Sequence, residues 1–280
     1  IGLGIPAEPL FRSRDLINRM KRAFFKRTNV MKTRVCILLA FLMIIALGCS
    51  KQDEPNDGGN NNSGNGGNAL NGHEYVDLGL PSGTLWATCN VGAAKPEEYG
   101  DYFAWGETEP KNTYHFGTYK HSNHDYNELT KYCNISEYGY YGYTDNLTIL
   151  ESGDDAATAK WGNDWHTPTK DDWEELYQNT ISSWVIWNDI NGRLFTSLNG
   201  NSLFLPASGY RHGESTYLNN YSNLYNAGVS GYYWSSSLCL DAPCYAWRFF
   251  FNSDHHSMYS IEGDYYRSYG LLVRPVHSTN

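Results

Sequence analysis

The sequence predicts an α+β domain of short strands and two short helices, preceded by a signal peptide and a flexible tether. Three observations carry that reading. From His73 onward, short apolar runs are punctuated by Gly, Pro, Asn and Asp, which is the pattern of strands and turns rather than of long helices. Two Asn-Gly pairs, Asn191-Gly192 and Asn199-Gly200, lie between apolar runs and signal hairpins. Helical patterning is confined to two short stretches in the middle of the chain.

Before the domain, the chain has three unlike parts. Residues 1–30 have no structural logic and read as an over-extended gene start, with Met31 the natural one; the alternative is an unusually long basic leader. Val35 to Gly48 is an unbroken apolar stretch behind Lys32 and Arg34. It is too short to cross a hydrocarbon layer of roughly 30 Å as a helix, but it suits a signal-peptide core. Cys49 after the small Gly48 resembles the bacterial lipoprotein signal, in which that Cys becomes the lipidated first residue; Ala46 and Leu47 reverse the usual order. Residues 49–71 are Asn- and Gly-rich and read as a tether, with no large apolar side chains to order most of it. Asp53 and Glu54 just after the Cys resemble the export signal of surface-exposed lipoproteins, which implies an outer-membrane, cell-surface location.

Charge narrows the partners. The residues after Cys49 carry 12 of the 21 Lys and Arg and 28 of the 30 Asp and Glu, a net of −16. Such a surface excludes nucleic acid as a partner and leaves the lipid anchor as the means of holding a membrane. Of the 43 Phe, Trp and Tyr residues, only Phe11, Phe24, Phe25 and Phe41 precede residue 70. Tyr is a common binding-surface residue because it offers rigid area at low entropic cost, and it also fills half-buried strand positions.

Taken in order, the domain (72–280) begins with strands Tyr75 to Leu80 and Thr84 to Val91 around Pro81-Ser82-Gly83, then Tyr99 to Trp105. Residues 108–150 read as a long excursion from the core. Asp155 to Trp161 is a helix behind an Asp cap. Lys170 to Gln178 is a helix after Pro168-Thr169, with Asp171 and Asp172 in its first turn, where the helix dipole favours them. The Asn-Gly pairs imply a meander of Trp184 to Ile190, Arg193 to Leu198 and Ser202 to Leu205. Late strands follow at Tyr232 to Ser236, Tyr245 to Phe251, Ser257 to Ile261 and Gly270 to Val276.

Seven of these segments, in order, resemble a known family: YVDLGLPSGTLWAT from Tyr75, YGDYFAWGE from Tyr99, DDAATAKWG from Asp154, WHTPTKDDWEEL from Trp165, SLFLPASGYR from Ser202, GYYWSSS from Gly231 and GLLVRPV from Gly270. Together they are similar to the Fibrobacter succinogenes major paralogous domain of Bacteroidetes surface lipoproteins. That family is related to the C-type-lectin-like and formylglycine-generating-enzyme folds. The resemblance implies irregular antiparallel sheets flanked by two helices, with a long loop region available to ligands. It implies little about activity.

No catalytic constellation stands out, and no cofactor or metal is expected. Glu54-Pro55-Asn56 and Trp187-Asn188-Asp189 spell the sugar–calcium motifs of C-type lectins, but calcium needs about six to eight converging oxygens, and these lie in a tether and before a hairpin. His255 and His256 are adjacent and point to opposite faces of a strand. Cys239 and Cys244 enclose a short loop with Pro243 and are expected to form a local disulfide; their spacing also resembles the paired cysteines of formylglycine-generating enzymes. The pairing of Cys89 and Cys133 is left open. The aromatic, polar loops are the candidates for ligand contact: Tyr210, Arg211, His212 and Tyr217 in one, Tyr140 and Tyr141 in the other.

The expectation is a tethered, non-enzymatic module that binds a glycan or a surface protein. The alternatives are a divergent formylglycine-generating-type enzyme and a structural part of a surface or pilus-like assembly. Anchoring has a direct check. Cys49→Ala should abolish fatty-acid labelling and move the protein to the soluble periplasmic fraction, and a variant that stays membrane-bound would refute the anchor.

Overall fold

The computed structural model describes residues 68–213, 222–259 and 265–279. Cys49, most of the tether and Tyr217 lie outside these residues. The described part falls within one compact unit, Gly64–Asn280. Its first hairpin, β1 (Ala69–Leu70) with β2 (His73–Asp77), turns on Asn71 and Gly72, both at positive φ. This Asn-Gly turn lies inside residues assigned by composition to the tether, so ordered structure begins before residue 72. Next, β3 (Leu85–Ala87) pairs with β2. Residues 99–105 make a single bridge, Phe103 to Leu271, instead of a strand.

The two helices form where their caps predict. In α1 (Ala156–Trp161), the Asp155 carboxylate accepts from the backbone N–H of Ala157 and Thr158. In α2 (Lys170–Asn179), Thr169 and Asp172 form a reciprocal capping box, and Trp173 and Leu176 are buried. These satisfy helix N–H groups that would otherwise lack partners.

The meander follows as β4 (Thr180–Trp187), β5 (Ile190–Ser197) and β6 (Ser202–Pro206), in that spatial order. The second predicted turn, at Asn199-Gly200, is present. The first is not at Asn191-Gly192: β4 starts four residues earlier than expected, and the chain reverses at Asn188-Asp189, both at positive φ. Gly192 instead lies in β5, where an added Cβ would sit 2.4 Å from the Phe204 ring. Its glycine therefore serves a close approach between strands, while Asn and Asp, which tolerate left-handed backbone, make the turn.

The remaining strands are β7 (Tyr210–His212), β8 (Asn223–Tyr225), β9 (Gly231–Leu238), β10 (Ala246–Phe251), β11 (His256–Tyr259) and β12 (Val276–His277). Strands β9, β10 and β11 form an antiparallel sheet with β10 in the middle, β7 pairs with β8, and β12 pairs with β3. The domain is thus α+β and rich in sheet.

Two apolar clusters fill it, and three extended segments lie between them. Tyr102 and Ala104 face one cluster while Phe103 and Trp105 face the other. The same alternation splits Tyr233 from Tyr232 and Trp234, and Leu272 from Leu271 and Val273. A strand buried on both faces reads as a continuous apolar run, which is how these segments appear in the sequence. Residues 108–150 correct the expected excursion: Tyr114 and Tyr119 lie in one cluster and Tyr132 in the other. They form short 3-10 turns rather than ladders.

That irregularity explains the tyrosines. A segment without a ladder leaves backbone carbonyls unpaired, and a phenol can reach them from a distance. Tyr102 donates to the Ser208 carbonyl at 2.6 Å, Tyr119 to that of Trp105 at 2.6 Å, Tyr233 to that of Pro206 at 2.9 Å, and Tyr114 to that of Tyr102. All four are buried. Burial pushes the Tyr114 and Tyr132 phenols up to about 12, and Tyr102, Tyr119 and Tyr233 upward as well.

A phenol raised in the fold adds stability that is complete below its unfolded value of 10.0 and is lost as pH rises through the folded value. Above pH 10 the unfolded chain binds fewer protons, so stability must fall with pH. Tyr114 and Tyr132 alone should remove roughly 3 kcal/mol between pH 8 and pH 11. Urea unfolding at the two pH values checks this, and equal midpoints would contradict it.

Candidate ligand-binding site

The strand Tyr210-Arg211-His212 is three residues long and pairs with Asn223-Leu224-Tyr225. Alternation along a strand sends Tyr210 and His212 to one side and Arg211 to the other. The side chains that the sequence reading grouped into one site therefore serve two surfaces.

On the first surface, tyrosine rings accumulate around Tyr210. Tyr225, its cross-strand partner, stacks on it at 5.5 Å between centroids, and Tyr269 lies nearly parallel at 6.0 Å. Tyr265 and Tyr232 meet Tyr210 edge-on at 4.7 and 5.0 Å. The His212 ring stacks on Tyr269 at 4.1 Å. Polar atoms thread the patch: the Tyr232 and Tyr265 hydroxyls are 3.1 Å apart, and Asn226 Nδ2 donates to the Tyr232 hydroxyl at 3.2 Å. Arg248 sits over the Tyr265 ring at 4.4 Å. Burial raises the Tyr265 and Tyr210 phenols, so both are protonated donors at neutral pH. Tyr225 is 39% exposed, and Asn223 and Asn226 beside it are exposed too. The patch is a ring surface, partly open to solvent, with amide groups at its margin.

On the second surface, Arg211 lines an open cleft of about 310 Å³ with Asp101, Tyr102, Lys111, Asn112 and Ser222. Its guanidinium lies 5.0 Å from the Tyr102 ring centre and donates to the Ser222 carbonyl at 3.4 Å. Lys111 is held by Glu107 at 2.8 Å and by the Thr118 carbonyl at 2.8 Å. This cleft carries fixed charge of both signs, unlike the ring surface.

Tyr140 and Tyr141 lie elsewhere in sequence, on a tight turn at residues 140–142, with their own rings 4.3 Å apart. Tyr141 is 92% exposed, at a positive φ of 51°. The reading from sequence missed Tyr225, Tyr265 and Tyr269. Tyr225 belongs to a three-residue strand too short to show a period, and the other two meet Tyr210 only through long-range packing.

Cys239 and Cys244 are free thiols, which corrects the expected bridge. Both are buried, in a small cluster with Ala242 and Tyr245, flanked by Tyr138 and Tyr266. The loop is closed by backbone bonds: Cys239 N–H to the Tyr245 carbonyl at 3.3 Å and Tyr245 N–H to the Ala242 carbonyl at 3.0 Å. Burial pushes the Cys244 thiol up to about 12, which keeps it protonated at neutral pH. Cys89 and Cys133 are also free, the latter donating to the Ile135 carbonyl at 3.2 Å. Among the described residues no group of three or more His, Cys, Asp or Glu is placed to hold a metal ion. The Trp187-Asn188-Asp189 motif is a hairpin tip whose Asn188 amide donates to Glu97.

No protein-family model, curated protein or solved structure matches this chain.

The thiol arrangement predicts its own reactivity. At pH 7.5 iodoacetamide should label Cys239 and Cys244 slowly in the folded protein, and fully after unfolding without reductant. Mass spectrometry reads the result, and protection of both cysteines in the unfolded, unreduced chain would establish a disulfide.

Proposed function

We propose that this chain is an outer-membrane lipoprotein, anchored through Cys49 and exposed at the cell surface, whose domain binds a glycan without catalysing a reaction. The anchor rests on the apolar stretch before Cys49 and the polar residues after it. Among the described residues no helix is long and apolar enough to cross a membrane. The C-type-lectin-like form of the fold and its kinship with the Fibrobacter succinogenes major paralogous domain belong to the same proposal. They are supported by the seven ordered motifs, the two helices and the antiparallel sheets around a long irregular region.

The observation that carries the binding reading is the ring surface of Tyr210, His212, Tyr225, Tyr265 and Tyr269. A sugar ring has apolar C–H faces and a polar hydroxyl edge. Flat phenols with neighbouring amides at Asn223 and Asn226 match both features. A protein ligand would use the same tyrosines as anchors. The acidic balance of the chain opposes nucleic acid. The buried, protonated Cys244 opposes thiol-based oxidase chemistry.

A glycan array probed with the protein should show selective binding. Tyr225→Ala, at a partly exposed position, should weaken that binding about tenfold, close to 1.4 kcal/mol, while the domain stays folded by circular dichroism. Binding that survives Tyr225→Ala and falls with Arg211→Ala would place the ligand in the cleft instead. An array without any selective signal would refute the glycan reading.

A further inference from the structure

The longest strand left open in the domain is β4, and it has none of the usual protections of a free edge. It pairs with β5 on one side, and no described residue pairs with its backbone on the other. Exposed edges are normally blunted by Lys, Pro, a bulge or an inward charge. Thr180-Ile181-Ser182-Ser183-Trp184-Val185-Ile186-Trp187 contains no charge, no proline and no glycine, and its ladder with β5 is unbroken. By contrast β6, at the other edge of the sheet, is mostly buried and ends in Pro206.

The turn determines which backbone groups are free. Two residues, Asn188 and Asp189, join the strands, so Trp187 and Ile190 form the first doubly hydrogen-bonded pair. Counting back in twos, Ile181, Ser183 and Val185 also direct their N–H and C=O groups to β5. Ser182, Trp184 and Ile186 direct theirs outward. The Ala207 N–H bond to the Asn191 carbonyl agrees with this phase, because Asn191 faces Ile186 and turns its own groups the other way. Along the same strand, Ile181 is 61% exposed, Ile186 71% and Trp187 43%.

We propose that this edge pairs with β4 of a second copy, antiparallel about a twofold axis centred on Trp184. In that register Trp184 faces its own symmetry mate and Ser182 faces Ile186 of the partner, so every outward amide and carbonyl named above gains a mate. Ser183 then faces Val185, and Ile181 faces Trp187, which covers two of the exposed apolar side chains. The contact is self-complementary, as a twofold interface must be. Charge selects a second copy as well. The residues after Cys49 carry a net charge of −16, so most of the surface repels another copy. This neutral strand is a place where two copies meet without like charges directly opposed, since Asn188 at the tip falls beside Thr180. One strand pair with a few apolar side chains lies at or below the ~1,200 Å² low end of stable interfaces, so the dimer is weak and dissociates on dilution.

Sedimentation of the full chain in detergent, from about 1 µM to about 1 mM, should show a monomer passing to a dimer. Backbone amide exchange at Ser182, Trp184 and Ile186 should slow as concentration rises. At Ile181, Ser183 and Val185 it should be slow throughout, because β5 already holds those amides. Ile186→Lys adds charge at an exposed position and should raise the dimer Kd at least tenfold with an unchanged melting temperature. Ile186→Pro removes an outward amide together with the exposed side chain and should likewise raise the dimer Kd at least tenfold. A monomer at every concentration would overturn the proposal. So would a dimer in which the three outward amides stay fast, or one that neither Ile186 variant weakens.

Discussion

Residues 270–276 hold the described domain together through backbone bonds to successive partners. Gly270 exchanges bonds with Arg211, Leu271 with Phe103, and Val276 with His166. Between them, Leu272 accepts from Trp234 and Val273 accepts from Val91, at 2.9 and 3.0 Å. Pro275 accepts from Ala87, and Val276 begins the strand that pairs with β3. Each neighbour is engaged for one or two residues before the chain passes to the next. Gly270 is needed for the tight entry, because a Cβ there would lie 2.8 Å from the Tyr114 ring. The segment reads as a strand in sequence and lies extended in the structure, yet only its end belongs to a regular ladder.

A chain that changes partner so often leaves carbonyls that no ladder satisfies, and side chains take up that work. Arg274, fully buried, donates to the Ala87 and Thr88 carbonyls and to Asn90 Oδ1. Arg267, equally buried, donates to the carbonyls of Tyr132 and Lys131. A guanidinium suits this role because its five N–H groups spread one charge over several acceptors, where an ammonium would concentrate it. The buried indoles act alike: Trp105, Trp173 and Trp234 donate to Ser235, Trp234 and Phe103. The aromatic richness of the domain is therefore largely structural, and a minority of rings, among them Tyr225, Tyr141, Tyr126 and Trp187, is left open for contact.

The ring surface depends on the same segment. Tyr265 and Tyr269 stand just before Gly270, and the bridge from Gly270 to Arg211 holds β7 beside them. Pairing with β8 adds Tyr225, and the bridge between Gly209 and Gly231 brings in Tyr232. Arg211 faces the charged cleft because side chains alternate along β7. The ring surface is thus a by-product of how the last extended segment is gripped, with exposed rings and amides at its margin.

Local chemistry made much of the fold legible. The caps at Asp155 and Thr169, the Asn199-Gly200 turn and the apolar runs of β9 and β10 depend on neighbours a few residues away, so sequence pattern suffices for them. The Asn191-Gly192 turn failed because Gly192 answers to Phe204 on another strand, and Asn188-Asp189 could turn equally well. Cys239 and Cys244 are unbridged in the structure and lie together in a small buried cluster. The candidate site was half legible: Tyr210 and His212 lie on the ring surface, while Arg211 and the Tyr140-Tyr141 pair do not. By itself, the sequence determined the apolar stretch before Cys49, the acidic composition, the helices and the supply of tyrosines. Only tertiary structure decided which tyrosines became internal donors and which stayed open, because that depends on where unpaired carbonyls fall when residues 270–276 meet partners from Ala87 to Trp234, far away in sequence.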